Sequence, residues 1–251
     1  MRACLFVAIL YSVHKTYLEM TSGGRMDKKQ NMLAGMIPGY SFVPVILALL
    51  LNQIAYFGSR AVAGEWYHYN LEIGLDGKIP FWPPSILIYL GSYLFWAAGY
   101  ILLARQEKEE AYHFFLSESL AKLLCMIFFL MLPTTNIRPA VEIDGIWNQL
   151  MIYLYSADAA DNLFPSIHCL ESWLCFIGVK NRRGTPRWYQ IFSFITAVLI
   201  CISTLLTKQH VIVDVIGGIL IAELCFCVGK RNAVLKIYGT WMDKINKALR
   251  L

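Results

Sequence analysis

Asn-Leu-Phe-Pro-Ser-Ile-His, residues 162–168, leads directly into a long apolar run. Pro165 suits the entry to a helix, and Ser166 is a favoured N-cap because its side-chain oxygen accepts a hydrogen bond from a backbone N–H of the first turn. The N–H groups of such a turn carry partial positive charge and bind phosphate readily. We therefore predict that a helix begins at Ser166, with His168 in its first turn beside an anion site.

A second stretch, Ser-Thr-Leu-Leu-Thr-Lys-Gln-His-Val-Ile-Val-Asp at residues 203–214, places His210 at the edge of another apolar run. His210 and Asp214 are one helical turn apart, so they share a face if the helix begins at or before His210. A carboxylate in that position fixes the tautomer of an imidazole and raises its basicity. The spacing therefore indicates a histidine prepared to act as a nucleophile.

The composition indicates a membrane protein. Of the 251 residues, 57% are hydrophobic and 16% are charged, whereas a soluble domain is typically about 25% charged. The apolar residues fall into runs of about 17–22 residues, the length that crosses the hydrocarbon core of a bilayer. We predict an all-α polytopic bundle of about six transmembrane helices. The predicted spans are approximately residues 40–57, 85–103, 115–132, 166–179, 188–206 and 211–228.

The charged residues divide the chain and orient it. We assign no role to the N-terminal flank, residues 1–36. We expect one six-span domain at residues 37–230 and a cytoplasmic tail at residues 231–251. Most Lys and Arg residues fall in the flank, in two of the turns and in the tail, so both termini should be cytoplasmic. The net charge of +5 then reflects membrane orientation, and no nucleic-acid partner is expected. Arg138, His168 and His210 share the extracytoplasmic side in this topology.

The chain resembles the type 2 phosphatidic acid phosphatase superfamily over about residues 130–220. One motif of that family is Pro-Ser-Gly-His, and Pro165-Ser166-x-His168 matches it except that Ile167 takes the place of glycine. Another is Ser-Arg, five residues, His, three residues, Asp, which Ser203 to Asp214 matches in spacing. A third, Lys, six residues, then Arg-Pro, survives here only in Arg138-Pro139.

This sequence departs from the family motifs by lacking positively charged residues at two positions. Met131 stands at the lysine position and Thr204 at the arginine position, so two of the family's usual phosphate-binding cations are missing. Lys208, two residues before His210, is a candidate replacement. This pattern resembles the branch that contains inositol phosphorylceramide synthases and sphingomyelin-synthase-like enzymes.

The resemblance implies a mechanism that needs no metal and no cofactor. His210 attacks phosphorus and forms a phosphohistidine, and Asp214 orients and stabilises the imidazole. His168 protonates the leaving lipid oxygen and then activates water or an acceptor hydroxyl. The remaining positive charge and the helix start hold the phosphate oxygens, and the substrate-binding set implied is Arg138, Ser166, Ile167 and Lys208.

The sequence is compatible with four functional hypotheses. The first is a membrane lipid phosphatase at the outer face, acting on a substrate such as phosphatidic acid or a polyprenyl pyrophosphate. The second is a phosphotransferase that passes a phospho-headgroup to a lipid alcohol. The third is an inactive helical scaffold or transporter. The fourth is a metal enzyme that uses His168, His210 and Asp214 as ligands.

Several further charges lie near the site or inside the predicted spans. Equal depth in the bilayer predicts a buried ion pair between Lys122 and Glu223, since an isolated charge is costly there. Glu171, one turn below His168, could tune that histidine or bond to a neighbouring helix. The polar residues just before the first motif, Asp158, Asp161 and Asn162, are more typical of loops and turns than of substrate contacts.

Overall fold

The structure is a computed structural model that describes residues 37–182 and 184–249. From Gly39 onward the chain forms one compact unit that is almost entirely helical. The helices are α1 (Gly39–Ala63), α2 (Ile86–Ala104), α3 (Lys108–Met131), α4 (Gly145–Ala157), α5 (Ile167–Val179), α6 (Arg187–Leu206), α7 (Ile212–Gly229) and α8 (Asn232–Ala248). Two short strands, β1 (Tyr69–Asn70) and β2 (Thr134–Thr135), pair in parallel. The predicted N-terminal flank lies outside the described residues.

Five of these helices are long and apolar enough to cross a bilayer. They are α1, α2, α3, α6 and α7, with mean hydropathies between 1.7 and 2.2. The predicted all-α polytopic helical bundle is therefore confirmed, and the protein is an integral membrane protein. The sixth apolar segment, α5, has only 13 residues. At 1.5 Å per residue it is about 20 Å long, which is less than the roughly 30 Å of a hydrocarbon core.

The short helix α5 lies at the centre of the bundle. It packs against α2, α3, α6 and α7, and every residue of it except Ile167 and Trp173 is buried. A helix surrounded by other helices has no need to match the bilayer thickness, because its ends contact protein rather than lipid. The central position of α5 places His168, in its first turn, inside the bundle rather than at its rim.

Two helices lie where the hydropathy pattern predicts none. The connection between the third and fourth predicted spans contains α4, whose Met151 and Leu154 pack with Ile86 and Tyr89 in a buried cluster. Beyond the last span, the tail forms α8, which packs on α1 and α3. Both helices bury one face against the bundle, so tertiary packing rather than overall hydropathy stabilises them.

A buried charge cluster corrects one prediction. Lys122 Nζ lies 2.6 Å from Glu171 Oε1 and 3.3 Å from Glu118 Oε2, and none of these three side chains is appreciably exposed. Glu223 is exposed and accepts a hydrogen bond from Trp173 Nε1 at 2.8 Å. The predicted Lys122–Glu223 pair is therefore wrong. Position in an apolar run indicates depth in the bilayer, but it does not indicate which neighbouring helix a residue faces.

Candidate active site

His210 lies in the tight turn between α6 and α7. The backbone N–H groups of Gln209 and His210 both donate to the carbonyl oxygen of Thr204, at 3.0 and 3.1 Å, and Lys208 adopts a left-handed conformation with φ of 53°. These bonds satisfy one carbonyl, that of Thr204, which the end of α6 leaves without an intrahelical donor. The turn therefore holds the His210 backbone rigidly at the mouth of α7.

The imidazole of His210 contacts a buried carboxylate. His210 Nδ1 lies 3.3 Å from Asp214 Oδ2, and the same oxygen accepts the Val211 N–H at 3.0 Å. Because α7 begins at Ile212, His210 precedes the helix, and the predicted contact is made across the cap instead of along a helix face. A carboxylate at Nδ1 assigns the proton to that nitrogen, which leaves the lone pair of Nε2 for nucleophilic attack.

The predicted cap at the start of α5 is confirmed. Ser166 Oγ accepts the Cys169 N–H at 3.3 Å, and α5 runs from Ile167 as the Pro-Ser-x-His stretch predicts. In addition, the backbone N–H of Ser166 donates to the carbonyl oxygen of Asp214 at 3.1 Å. One backbone hydrogen bond thus joins the beginnings of the two helices that carry the histidines.

The two imidazoles lie close together at this junction. The ring centroids of His168 and His210 are 6.1 Å apart. In-line phosphoryl transfer places the nucleophile and the leaving oxygen on opposite sides of phosphorus, with reacting atoms about 3 Å from their partners. The two rings are close enough together that one phosphoryl group placed beside them can contact both imidazoles.

Aromatic side chains from α2 hold His168. Its ring stacks on Tyr89, with centroids 4.3 Å apart and planes at 24°, and it meets Trp96 at 5.1 Å and Tyr93 at 6.0 Å. These rings therefore restrict the orientation of His168.

Glycines in α7 allow the close approach of α5. A Cβ on Gly218 would stand 2.6 Å from the Ser166 carbonyl oxygen, and one on Gly217 would overlap the ring of Phe164. Only hydrogen at these positions lets the start of α5 lie directly against α7. The distance between His168 and His210 depends on that approach.

We expect Gly218→Ala to lower activity and to destabilise the fold by about 1–3 kcal/mol, because the added methyl group meets backbone that cannot move aside. Gly91→Ala is the matched control, since a Cβ there meets nothing within 4 Å and alanine is the better helix former. Thermal unfolding and kcat should be measured for both variants. Equal behaviour of the two variants would contradict the steric argument.

Arg138 is fixed close to His210 through the neighbouring Gln209. Its Nη1 donates to the Asp158 carbonyl oxygen at 2.6 Å, and its Nη2 donates to Gln209 Oε1 at 2.7 Å and more weakly to a second carbonyl. The guanidinium also lies over the ring of Tyr155, 4.8 Å from its centroid. Among the described residues, Arg138 Nε alone of its nitrogens has no hydrogen-bond partner. Most of its hydrogen-bonding capacity is therefore used within the protein.

The ammonium group of Lys208 is also bound to oxygens of the protein. Its Nζ donates to the carbonyl oxygens of Asp76 and Ile79, at 3.0 and 2.7 Å. The ammonium group thereby ties the loop before α2 to the end of α6. Its predicted role as a phosphate-binding cation stays a prediction, and the structure gives it a positioning role in addition.

Asp158 takes part in the site through two tyrosines, a role that its predicted place in a loop does not indicate. Its carboxylate accepts hydrogen bonds from the hydroxyl groups of Tyr56 and Tyr89, the latter at 3.4 Å. Since the ring of Tyr89 stacks on His168, Asp158 fixes the surface against which that histidine lies. In the sequence, the only indication of this role is that Asp158 belongs to a group of polar residues immediately before the Pro-Ser-x-His stretch.

Asp161 and Asn162 complete this polar framework. Asp161 pairs with Arg60 at 2.9 Å, and Asn162 Nδ2 donates to the Tyr56 carbonyl oxygen at 3.0 Å. Burial raises the pKa of Asp161, and the Arg60 charge opposes that rise. Asn162 also adopts a left-handed conformation with φ of 52°, as its assignment to a turn anticipates. Both residues anchor the loop before α5 to α1.

The fold and the site together define an integral membrane helical bundle that presents a histidine pair and a buried carboxylate at the starts of two packed helices. A family model described as the PAP2 superfamily matches residues 84–228, which is more than half of the chain and includes His168, His210 and Asp214. The chain belongs to the PAP2 superfamily, whose members are phosphoric-ester hydrolases or phosphotransferases. Comparisons with curated proteins and with solved structures gave no match.

Proposed function

We propose that this protein is a membrane-embedded lipid phosphate phosphatase that acts through a phosphohistidine on His210. The observation that carries the proposal is the 6.1 Å separation of the His168 and His210 rings, with Asp214 bonded to the second of them. Membership of the PAP2 superfamily supports phosphoric-ester chemistry in general, and the membrane-spanning helices favour a lipid substrate.

The proposed reaction has two steps with a common acid–base group. In the first, a bond forms between His210 Nε2 and phosphorus, the bond from phosphorus to the lipid oxygen breaks, and His168 gives its proton to that oxygen. In the second, His168 takes a proton from water as the water oxygen attacks phosphorus, and the bond to Nε2 breaks. The products are a lipid alcohol and inorganic phosphate, and both histidines return to their starting states.

A second candidate is a phosphotransferase in which a lipid alcohol replaces water in the second step. The scarcity of free positive charge favours it. Met131 and Thr204 replace two cations of the family pattern, while Lys208 and most of Arg138 are bound to protein oxygens. A phosphodiester carries one negative charge and a phosphomonoester carries up to two, so this site suits the diester better.

We further propose that the site lies at the extracytoplasmic face. The loop that joins α5 to α6 contains Lys180, Arg182 and Arg183, and the segment that follows α7 is also basic; the short loop from α2 to α3 contains Arg105. The positive-inside rule assigns these loops to the cytoplasm. The starts of α5 and α7 are at the opposite ends of their helices from these segments, so His168 and His210 face outward.

The product released distinguishes the two candidates. If water is the acceptor, we expect the purified protein to release inorganic phosphate from phosphatidic acid. If a lipid alcohol is the acceptor, we expect it to move a labelled headgroup from a phosphodiester lipid to an added lipid alcohol. Activity should persist in a strong chelator, because the chain supplies both the nucleophile and the acid. Loss of activity in the chelator with recovery on adding one metal would favour the metal-enzyme hypothesis.

A further inference from the structure

Helix α8 lies at the ends of three membrane-spanning helices. Only two residues separate its first residue from Gly229, the last residue of α7. Farther along α8, the Asp243 carboxylate pairs with Lys108, the first residue of α3, at 2.7 Å. Near the C-terminal end of α8, Asn246 Nδ2 donates to the carbonyl oxygen of Tyr40, at the start of α1, at 3.1 Å. Because the ends of spanning helices mark the boundary of the hydrocarbon core, α8 lies at the membrane surface.

One face of α8 packs on the bundle, and the adjacent face is apolar and exposed. Met242 and Asn246 are buried against the bundle. Ile237, Trp241 and Ile245 follow one another at intervals of about one turn, and their exposed fractions are 63%, 65% and 38%. We call these three residues the apolar stripe. Such a stripe is unfavourable in water but is stabilised at the boundary between headgroups and acyl chains, where Trp is enriched.

The remaining face of α8 carries lysines that have no carboxylate partner. Lys236, Lys244 and Lys247 are exposed, and none of them forms an ion pair with any residue that the structure describes. The only carboxylate within α8 is that of Asp243, which is bound to Lys108. The phosphate groups of anionic lipids attract ammonium groups at the membrane surface, and each lysine strengthens such binding about fivefold. An apolar stripe beside a face of lysines is typical of helices that bind anionic membranes.

We propose that α8 binds the headgroups of anionic lipids in the leaflet in which it lies. The ligand is a lipid of the bilayer rather than a soluble anion, because the apolar stripe enters the same surface that supplies the phosphates. The surface is separate from the candidate active site. His210 precedes the start of α7 and α8 follows its end, and a helix of 18 residues is about 27 Å long. The inference is therefore independent of the proposed lipid phosphatase activity.

A lipid titration of the full-length protein in neutral detergent micelles tests the proposal. Thermal unfolding is followed as phosphatidylglycerol or phosphatidylcholine is added, because a ligand that binds the folded state raises the Tm. We expect phosphatidylglycerol to raise the Tm at concentrations where phosphatidylcholine does not. Each variant is compared with itself in phosphatidylcholine, so a change in its intrinsic stability does not affect the result. Equal titrations with the two lipids would overturn the proposal.

Substitution of the lysines identifies the surface that binds. Lys244→Gln should weaken phosphatidylglycerol binding about fivefold, and the triple change of Lys236, Lys244 and Lys247 to Gln should weaken it about a hundredfold. Lys78→Gln is the matched control, since Lys78 is exposed in the loop before α2, and it should leave the titration unaltered. If the triple variant binds phosphatidylglycerol as the wild type does, α8 is not the binding surface.

Two further measurements separate a lipid from a soluble anion. Glycerophosphoglycerol has the same headgroup without acyl chains, and we expect it not to raise the Tm at the same concentrations. Trp241→Ser keeps all three lysines and should weaken phosphatidylglycerol binding several-fold, because the apolar stripe loses its largest side chain. Trp188→Ser removes an equally exposed tryptophan, 68% against 65%, from the start of α6 and should have no such effect. Stabilisation by glycerophosphoglycerol, or an unchanged titration of Trp241→Ser, would reject the bilayer as the ligand.

Discussion

His210→Gln should lower kcat by about 10⁴-fold or more and abolish the phosphorylated enzyme, because the nucleophile of a two-step mechanism has no substitute. Glutamine is close to histidine in size and keeps a polar group in the turn. The backbone hydrogen bonds of His210 and Gln209 to the Thr204 carbonyl oxygen do not involve the side chain. The variant should therefore fold and insert normally, and an acid-labile phosphate label on the wild type should be missing from it.

The role of His168 can be separated from that of His210 in the same assay. With a nitrophenyl phosphodiester, whose leaving group needs no proton, His168→Gln should still become labelled on His210 but should release the label slowly, since the general base of the second step is missing. His68→Gln makes the same chemical change in the loop before α2 and should leave kcat unaltered. Normal activity of His210→Gln would reject the mechanism, and a wild type with neither label nor turnover would favour an inactive scaffold or transporter.

The largest expected loss of stability is that of Lys122→Met. Lys122 lies 2.6 Å from Glu171 and 3.3 Å from Glu118, all three buried in the bundle. Removing the ammonium group leaves two carboxyl groups without a cation, and breaking a buried pair in this way costs about 3–5 kcal/mol. The free energy of unfolding should be measured by denaturation in mixed micelles.

Lys108→Met is the matched control on the same helix. Lys108 pairs with Asp243 at 2.7 Å, but both side chains are 49% exposed, and an exposed pair contributes about 0–1 kcal/mol. Adding Glu118→Gln and Glu171→Gln to Lys122→Met should recover much of the lost stability, because no uncompensated charge then remains. If Lys122→Met unfolds no more easily than Lys108→Met, the buried cluster does not stabilise the fold.

Local signals account for the parts of the site that the sequence predicts well. The cap at Ser166 depends on residues within one turn, and the His210–Asp214 contact depends on residues four positions apart, so both could be inferred without a fold. The contacts of Tyr89 depend on its partners in other helices. Its ring stacks on His168 and its hydroxyl donates to Asp158, although composition alone suggests an ordinary apolar-run tyrosine.

Arg138 and Lys208 also show what local sequence patterns cannot predict. Spacing identified Arg138 and Lys208 as candidates to hold phosphate, and each lies near the turn that carries His210. Whether a cation is available to a ligand depends on which oxygens surround it. The structure shows Lys208 bound to two carbonyls of a loop more than 120 residues earlier in the chain, which no local pattern encodes.

By itself, the sequence determined that this protein is a membrane-spanning helical bundle, because hydropathy acts over a single segment and needs no partner. It also identified His168, His210 and Asp214 as the candidate catalytic residues, because the spacing of the motifs that contain them is recognisable without a fold. Only the tertiary structure decided that α5 is buried at the centre, that Lys122 pairs with Glu171 rather than Glu223, and that α8 lies at the ends of three spanning helices. Each of these depends on the rotation and close approach of helices, which residues distant in the chain set together, as Gly218 against Ser166 shows.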